Sequence, residues 1–191
     1  MNMKKKKQKK IRITGGLFKG RIIHSLHHTN IRPTRNCIKQ VIFNWLQKDI
    51  KNSICLDCFA GSGSLSIESI SRSAKSVTAL EKNYILVKKI KETLKKFLIN
   101  NISILHVKTQ KWLKKKGDPY DIIYLDPPFN NKYLLNQAIM YLEKYSWTKK
   151  YSIIYIEHTD NNIYIPSNWK LMKKKKIGIV LLSLFYKKNN F

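Results

Sequence analysis

Between residues 53 and 157, short apolar segments alternate with longer segments in which apolar side chains recur at helical spacing. The apolar segments predict strands at 53–58, 76–81, 102–107, 120–125 and 151–157. The intervening segments predict helices near 63–73, 83–98, 109–116 and 131–146. Strand–helix alternation of this length is typical of a parallel sheet with helices on both faces.

The end of the chain has a different pattern. Segments 169–176 and 178–186 meet near Gly178 and predict an antiparallel hairpin. Parallel α/β structure followed by an antiparallel strand predicts a Rossmann-like fold, with a mostly parallel seven-stranded sheet.

Residues 1–50 form the predicted N-terminal extension. Residues 1–10 are a low-complexity basic arm, which we expect to be disordered. Residues 11–26 predict a β-hairpin, and Thr34 is a candidate N-cap for a helix over 35–49. We therefore divide the chain into the arm at 1–10, a hairpin and helix at 11–50, and an α/β domain at 51–191.

The charge of the chain favours a polyanionic partner. Lys and Arg number 38 against 11 Asp and Glu, which gives a formal net charge of +27. AT-rich coding could raise the lysine count without any function, so the arginine positions are more informative. Arg12, Arg21, Arg32 and Arg35 lie close together and predict an RNA-contacting surface, with a solvated hairpin as the alternative.

A glycine-containing loop follows the first predicted strand of the α/β domain. After Asp57, glycines at 61 and 63 allow a sharp turn and a close approach of the backbone to a ligand. Glu81 ends the next strand, where a carboxylate can accept hydrogen bonds from ribose hydroxyls. Together these features predict an adenosine-containing cofactor.

The sequence Asp126-Pro127-Pro128-Phe129 follows the fourth predicted strand of this domain. Asp126 and the Pro127 carbonyl can each accept one N–H of an exocyclic base amine, and Phe129 offers a ring for base stacking. A fixed carboxylate would stabilise positive charge that develops on the amine nitrogen during transfer. A simple strand-ending turn is the alternative for the segment in isolation.

The motifs together resemble the class I S-adenosylmethionine-dependent methyltransferases. More specifically, the chain is similar to the bacterial 16S ribosomal RNA (guanine-N2)-methyltransferase family. The matching segments, which fall within residues 11–187, are ITGGLFKGR, RPT, FNWL, LDCFAGSGSLSIESISR, VTALEKN and YDIIYLDPPF.

The resemblance implies a role for each motif. Asp57, Gly61 and Gly63 would border the methionine part of S-adenosylmethionine, and Glu81 would hold its ribose. The resemblance also places Phe59 and Lys82 at the cofactor. Target guanine would be bound by Asp126, Pro127 and Phe129, while the hairpin and the RPT segment contact RNA or close over the site.

The chain departs from the family pattern at several positions. After RPT the family carries an acidic and a basic residue and then an Arg-Glu pair, whereas this chain has Asn36, Cys37, Lys39 and Gln40. The sequence therefore leaves ion pairing by that helix open. Lys108-Thr109-Gln110 replaces the family's adenine-facing segment.

The expected function is methyl transfer to the N2 amine of a guanine in 16S rRNA of the small ribosomal subunit, by a cytoplasmic monomer that needs no metal or membrane. One alternative is methylation of another amine, either DNA adenine-N6 or a protein glutamine. A second is a non-catalytic RNA-binding assembly factor. Glu157-His158, after the fifth strand of the domain, is either a substrate contact or plain surface.

Overall fold

The structure, a computed structural model, describes residues 9–25, 36–128, 131–159 and 162–188. Its strands are β1 Lys9–Arg12, β2 Ile22–Ser25, β3 Ile54–Asp57, β4 Ser76–Glu81, β5 Ile102–His106, β6 Tyr120–Leu125, β7 Thr148–His158, β8 Trp169–Ile177 and β9 Val180–Lys187. The helices are α1 Asn36–Trp45, α2 Ser64–Ser71, α3 Tyr84–Phe97, α4 Thr109–Leu113 and α5 Lys132–Lys144.

Seven strands form one sheet in the order β5-β4-β3-β6-β7-β9-β8. The first five in this order are parallel, and β9 is antiparallel to both of its neighbours. The predicted Rossmann-like fold with its terminal hairpin is confirmed. The chain moves outward from β3 to β5 and then returns to β6 on the other side of β3. In open α/β sheets such a switch of direction opens a crevice at the carboxyl ends of the strands.

Both faces of the sheet are buried, as a parallel sheet covered by helices requires. Along β6, Ile122 and Tyr124 belong to one apolar core, while Ile123 and Leu125 belong to the other. Successive side chains of a strand point to opposite faces, so a continuous apolar run serves both cores.

Helix α3 shows how a local sequence pattern specifies one of these helices. Leu86, Ile90 and Leu94 recur at helical spacing and are buried, and Ile90 and Leu94 belong to one of the two apolar cores. The Asn83 side chain caps the helix by accepting a hydrogen bond from the Ile85 N–H at 2.9 Å.

The hairpin β1–β2 and helix α1 pack on one face of the sheet. Ile13, Ile42 and Phe43 are buried in the same core as Tyr124 and Tyr155 of the central strands. The predicted hairpin is confirmed, but β1 begins at Lys9, within the segment predicted to be a disordered arm. The prediction of disorder up to residue 10 is therefore wrong at Lys9 and Lys10, because these residues pair with Ser25 and His24 across the ladder.

Several other bounds differ from the sequence-based predictions, and α4, for example, ends at Leu113 rather than 116. Strand β7 begins at Thr148 rather than 151, because Thr148 pairs with Tyr120 ahead of an irregularity in the ladder. Helix α1 ends at Trp45, and the N-cap predicted at Thr34 lies outside the described residues. In the part of the chain that the structure describes, no helix is long and apolar enough to cross a membrane.

Candidate active site at the carboxyl ends of the central strands

The loop after β3 turns sharply at two glycines. Gly61 and Gly63 have φ angles of 55° and 74°, in the left-handed region that favours glycine. A Cβ atom at Gly63 would also lie 3.2 Å from Cγ1 of Ile90 on α3. The tight turn ends at Gly63, which directly precedes the first residue of α2.

Glu81, at the end of β4, fixes the position of the glycine loop. Its carboxylate accepts hydrogen bonds from the Gly61 N–H at 2.9 Å and from the Asn83 N–H at 2.7 Å. Burial raises the pKa of Glu81, and these backbone donors together with the positive charge of Lys82 oppose the rise. A carboxylate offers about four lone-pair positions, so Glu81 can accept further hydrogen bonds.

Asp57 ends β3 and is buried beside Glu81. One carboxylate oxygen accepts the Ser66 hydroxyl at 2.6 Å, and the Phe59 backbone N–H donates to the same carboxyl group. Burial raises the pKa of Asp57 to about 6, and the negative charge of Glu81 adds to the rise. Asp57 therefore changes its charge close to neutral pH.

The remaining cofactor-side residues lie around this pair. Phe59 is half-buried in the glycine loop, and Lys82 is exposed directly after Glu81. The Thr109 hydroxyl, at the start of α4, donates to the Cys58 carbonyl. Among the described residues, the Nε2 atom of Gln110 is a buried donor with no hydrogen-bond partner.

The residues predicted to hold the substrate amine follow β6, the next strand of the sheet. Asp126 is half-buried and Pro127 is buried. The ladder pairs Asp57 with Tyr124, so Asp126 lies two residues beyond the partner of Asp57 at the same sheet edge. Phe129, the predicted stacking residue, lies outside the described residues.

Three carboxylates thus lie at the same edge of three adjacent strands: Glu81 at the end of β4, Asp57 at the end of β3 and Asp126 after β6. Neighbouring strands are about 4.8 Å apart, so groups bound at these positions would be neighbours. The structure brings the two predicted halves of the site together at the switch point of the sheet.

Of the four arginines predicted to contact RNA, two are described. Arg12 and Arg21 are exposed, and the Arg21 guanidinium lies 5.0 Å from the Phe18 ring centroid and 5.1 Å from that of Phe97. Arg32 and Arg35 lie outside the described residues.

Cys55 and Cys58, which have the spacing C-x-x-C, are buried and free. Burial raises the pKa of Cys55 to about 12, so the thiol stays protonated. Within the described ranges, no group of three or more His, Cys, Asp or Glu side chains is arranged to hold a metal ion.

A family model described as conserved hypothetical protein 95 matches residues 11–186. The chain belongs to this family. Ribosomal RNA small subunit methyltransferase D of Buchnera aphidicola subsp. Acyrthosiphon pisum is 46% identical over 172 residues, covering 89% of this chain and 90% of that protein. The protein of the same name from Escherichia coli strain K12 is 34% identical, covering 92% of this chain and 89% of its own.

The structural comparison agrees with the family assignment. The solved structure of yhhF from Escherichia coli, described as a methyltransferase, superposes with a TM-score of 0.88 at 32% identity. The superposition covers 95% of this chain and 100% of the yhhF chain. The predicted family and the class I methyltransferase fold are confirmed.

A family motif also contains a buried charge cluster that the sequence analysis missed. The Glu68 carboxylate accepts hydrogen bonds from the Thr14 N–H at 2.9 Å, the Thr14 hydroxyl at 2.7 Å and the Gly15 N–H at 2.8 Å. Arg72 Nε lies 3.1 Å away, and Lys39 Nζ lies 3.6 Å away. This Glu68 cluster joins the hairpin, α1 and α2.

The Glu68 cluster includes an ion pair made by α1. Lys39 is one of the departures from the family pattern, and the sequence left ion pairing by this helix open. It is fully buried, pairs with Glu68 and donates to the Arg12 carbonyl at 2.6 Å. Glu68 and Arg72 are four residues apart in an otherwise uncharged segment, which is a signal for an intrahelical ion pair.

Proposed function

We propose that this protein transfers a methyl group from S-adenosylmethionine to the exocyclic N2 amine of a guanine in small-subunit ribosomal RNA. The observation that carries the proposal is the meeting of Glu81, Asp57 and Asp126 at one edge of the sheet. The relatives named as small-subunit rRNA methyltransferases support the substrate class.

The residues around the glycine loop suit the cofactor chemically. Glu81 would accept the ribose hydroxyls, and Asp57 would attract the positively charged amino group of the methionine part. The unpaired Gln110 Nε2 donor offers a partner for a ring nitrogen of the adenine. When bound, S-adenosylmethionine supplies a methyl group on a sulfonium, which is already activated for displacement.

The residues after β6 suit an amine on a base. The lone pair of the guanine N2 is conjugated into the ring, so the amine is a poor nucleophile. Asp126 and the Pro127 carbonyl would each accept one N–H and turn the nitrogen toward the methyl donor. The Asp126 carboxylate would stabilise positive charge on that nitrogen more in the transition state than in the ground state. Once the N2–carbon bond has formed and the carbon–sulfur bond has broken, the proton that the nitrogen loses would pass to the Asp126 carboxylate.

Rigid backbone supports this geometry. Each proline fixes its own φ angle and holds the preceding residue in an extended conformation, so Asp126 and Pro127 would be aimed before the substrate binds. Direct displacement needs no covalent enzyme intermediate, and the protein contributes orientation and electrostatics.

The exposed positive charge would hold the RNA. Arg12 and Arg21 lie on the N-terminal hairpin, and the formal net charge of +27 favours a polyanion. We expect the protein to act as a monomer in the cytoplasm, where small subunits are assembled. Elution at the volume of a monomer in size-exclusion chromatography would support the expected monomer.

The test is transfer of labelled methyl groups from S-adenosylmethionine to three substrates: unmodified small subunits, DNA and a protein mixture. The proposal predicts label in small-subunit RNA. Label in DNA or protein would favour a different amine as acceptor. Absence of cofactor binding in calorimetry, together with retained RNA binding, would favour a non-catalytic assembly factor.

A further inference from the structure

The end of β7 places a fourth carboxylate beside the acceptor residues. The ladder pairs Leu125 of β6 with Ile156 of β7, so Asp126 and Glu157 each follow a paired residue on neighbouring parallel strands. The Tyr155 hydroxyl donates to Glu157 Oε2 at 3.2 Å. The two carboxylates therefore lie side by side at the carboxyl edge of the sheet.

Burial and both carboxylates raise the pKa of the Tyr155 phenol. Its side chain is fully buried, and burial raises the pKa of the phenol well above its ordinary value. The negative charges of Glu157 and then Asp126 raise this pKa further. The phenol thus stays protonated and holds Glu157 as a hydrogen-bond donor.

We propose that Glu157 accepts the N1–H of the target guanine and thereby selects guanine over bases without that proton. This inference rests on the proposed function. Guanine presents N1–H and the N2 amine side by side on its Watson–Crick edge, so two adjacent carboxylates match its two donors. Adenine and 2-aminopurine present a lone pair at N1, which Glu157 would repel. Tyr155 is a positioning residue that acts through Glu157.

The experiment compares two RNA substrates that both carry a C2 amine. One has guanine at the mapped target position, and the other has 2-aminopurine, which keeps the amine and lacks N1–H. The ratio of kcat/KM for the two substrates is measured in wild type, Glu157→Gln and Tyr155→Phe. The matched control is Glu92→Gln, which changes an exposed carboxylate on α3.

Wild type is expected to prefer guanine by about tenfold or more, which corresponds to one hydrogen bond to a charged group. Glu157→Gln should reduce the preference at least about fivefold, because its amide can donate to an unprotonated N1. Tyr155→Phe should reduce it less, and Glu92→Gln should leave it unchanged.

An unchanged preference in both Glu157→Gln and Tyr155→Phe would overturn the role of Glu157. That outcome differs from failure of the proposed function, in which wild type would methylate neither RNA. Calorimetry with S-adenosylmethionine shows whether each variant is folded at the cofactor site.

A second, independent observation concerns the outer edge of the sheet. Strand β8 is the edge strand, and every residue from 170 to 176 is exposed, including the four lysines at 173–176. The ladders place Lys175 opposite Leu182, and Leu182 opposite Glu157. The lysines at 173–176 therefore lie level with the carboxyl edge, about 10 Å from β7 at a spacing of about 4.8 Å per strand.

We infer that the lysines at 173–176 bind the phosphate backbone of the RNA beside the target nucleotide. This inference also rests on the proposed function. Charged side chains on an edge strand protect it from pairing with other chains. The four exposed lysines at the active-site end of β8 alternate between the two faces of this edge strand, so two lie on each face beside the carboxyl edge. Phosphate contacts of this kind position a nucleic acid without reading its sequence.

The test replaces the lysines at 173–176 with glutamine and measures RNA affinity against salt concentration. The matched control replaces four exposed lysines at the opposite, amino edge: Lys51 and Lys75, which precede strands, and Lys95 and Lys96 at the end of α3. Both variants lose the same charge.

The variant at 173–176 should bind RNA more weakly. Its plot of log affinity against log salt should flatten by about 0.7 for each phosphate of a single strand that the lysines neutralise in wild type. The control should change the slope much less, and S-adenosylmethionine binding should be the same in both. Equal changes in the two variants would overturn the inference, because they would reflect total charge alone.

Discussion

Replacing Glu68 with glutamine should destabilise the protein strongly. The carboxylate accepts three hydrogen bonds from Thr14 and Gly15, and it is paired with Arg72 and with the fully buried Lys39. A glutamine of similar size keeps one acceptor oxygen but turns an amide donor toward groups that are themselves donors. Lys39 would then carry a buried charge without its counter-charge.

The magnitude follows from the burial of this pair. Removing one partner of a buried ion pair costs about 3–5 kcal/mol, whereas a domain of ordinary stability unfolds with about 5–15 kcal/mol. Glu68→Gln should therefore remove a large part of the free energy of unfolding. Glu92→Gln, at the exposed Lys89–Glu92 pair, should show no measurable change.

The assay is equilibrium unfolding in urea, followed by circular dichroism, for Glu68→Gln, Glu92→Gln, Lys39→Met and the double variant that combines Glu68→Gln with Lys39→Met. The double variant removes both charges, so its loss should be smaller than the sum of the two single losses. A loss below about 1 kcal/mol for Glu68→Gln would refute the view that this cluster holds the hairpin to α2.

Four further predictions concern activity. Asp126→Ala should abolish methyl transfer while S-adenosylmethionine binding survives in calorimetry, and full activity would remove Asp126 from the mechanism. Phe129→Tyr should be tolerated and Phe129→Ala should not, whereas similar turnover by the two would argue against base stacking. Deleting residues 1–8, which precede β1, should weaken RNA affinity and flatten its salt dependence, and an unchanged slope would show that this segment does not bind phosphate. Asp57 has a pKa of about 6, and a bound amino group favours its carboxylate form. The affinity for S-adenosylmethionine, measured by calorimetry, should therefore rise as pH increases from about 5 to 7 and then level off. An affinity that does not depend on pH would place the amino group elsewhere.

The α/β domain could be predicted because its local patterns agree with its final packing. In β6, a continuous apolar run fits a strand that is buried on both faces. In α3, the spacing of Leu86, Ile90 and Leu94 fits a helix that is buried on one face. The glycine loop, Glu81 and Asp126 each follow a predicted strand, so the sheet brings them to one edge.

The contacts that depend on three-dimensional neighbours could not be predicted. The ion pair of Lys39 could not be predicted because its partner, Glu68, is 29 positions away on another helix. Glu157 could be placed at the end of a strand, but its position next to Asp126 required the order and register of β6 and β7. The buried Gln110 Nε2 has no signal in the sequence, because its burial depends on packing around α4.

The most direct test of the central claim is the identity of the methylated nucleoside. Unmodified small subunits are incubated with the protein and S-adenosylmethionine, and the RNA is digested to nucleosides for mass spectrometry against synthetic standards. We expect N2-methylguanosine at a single position, formed by wild type and not by Asp126→Ala. Methylation of a guanine ring nitrogen, of adenosine or of a ribose hydroxyl would contradict the account.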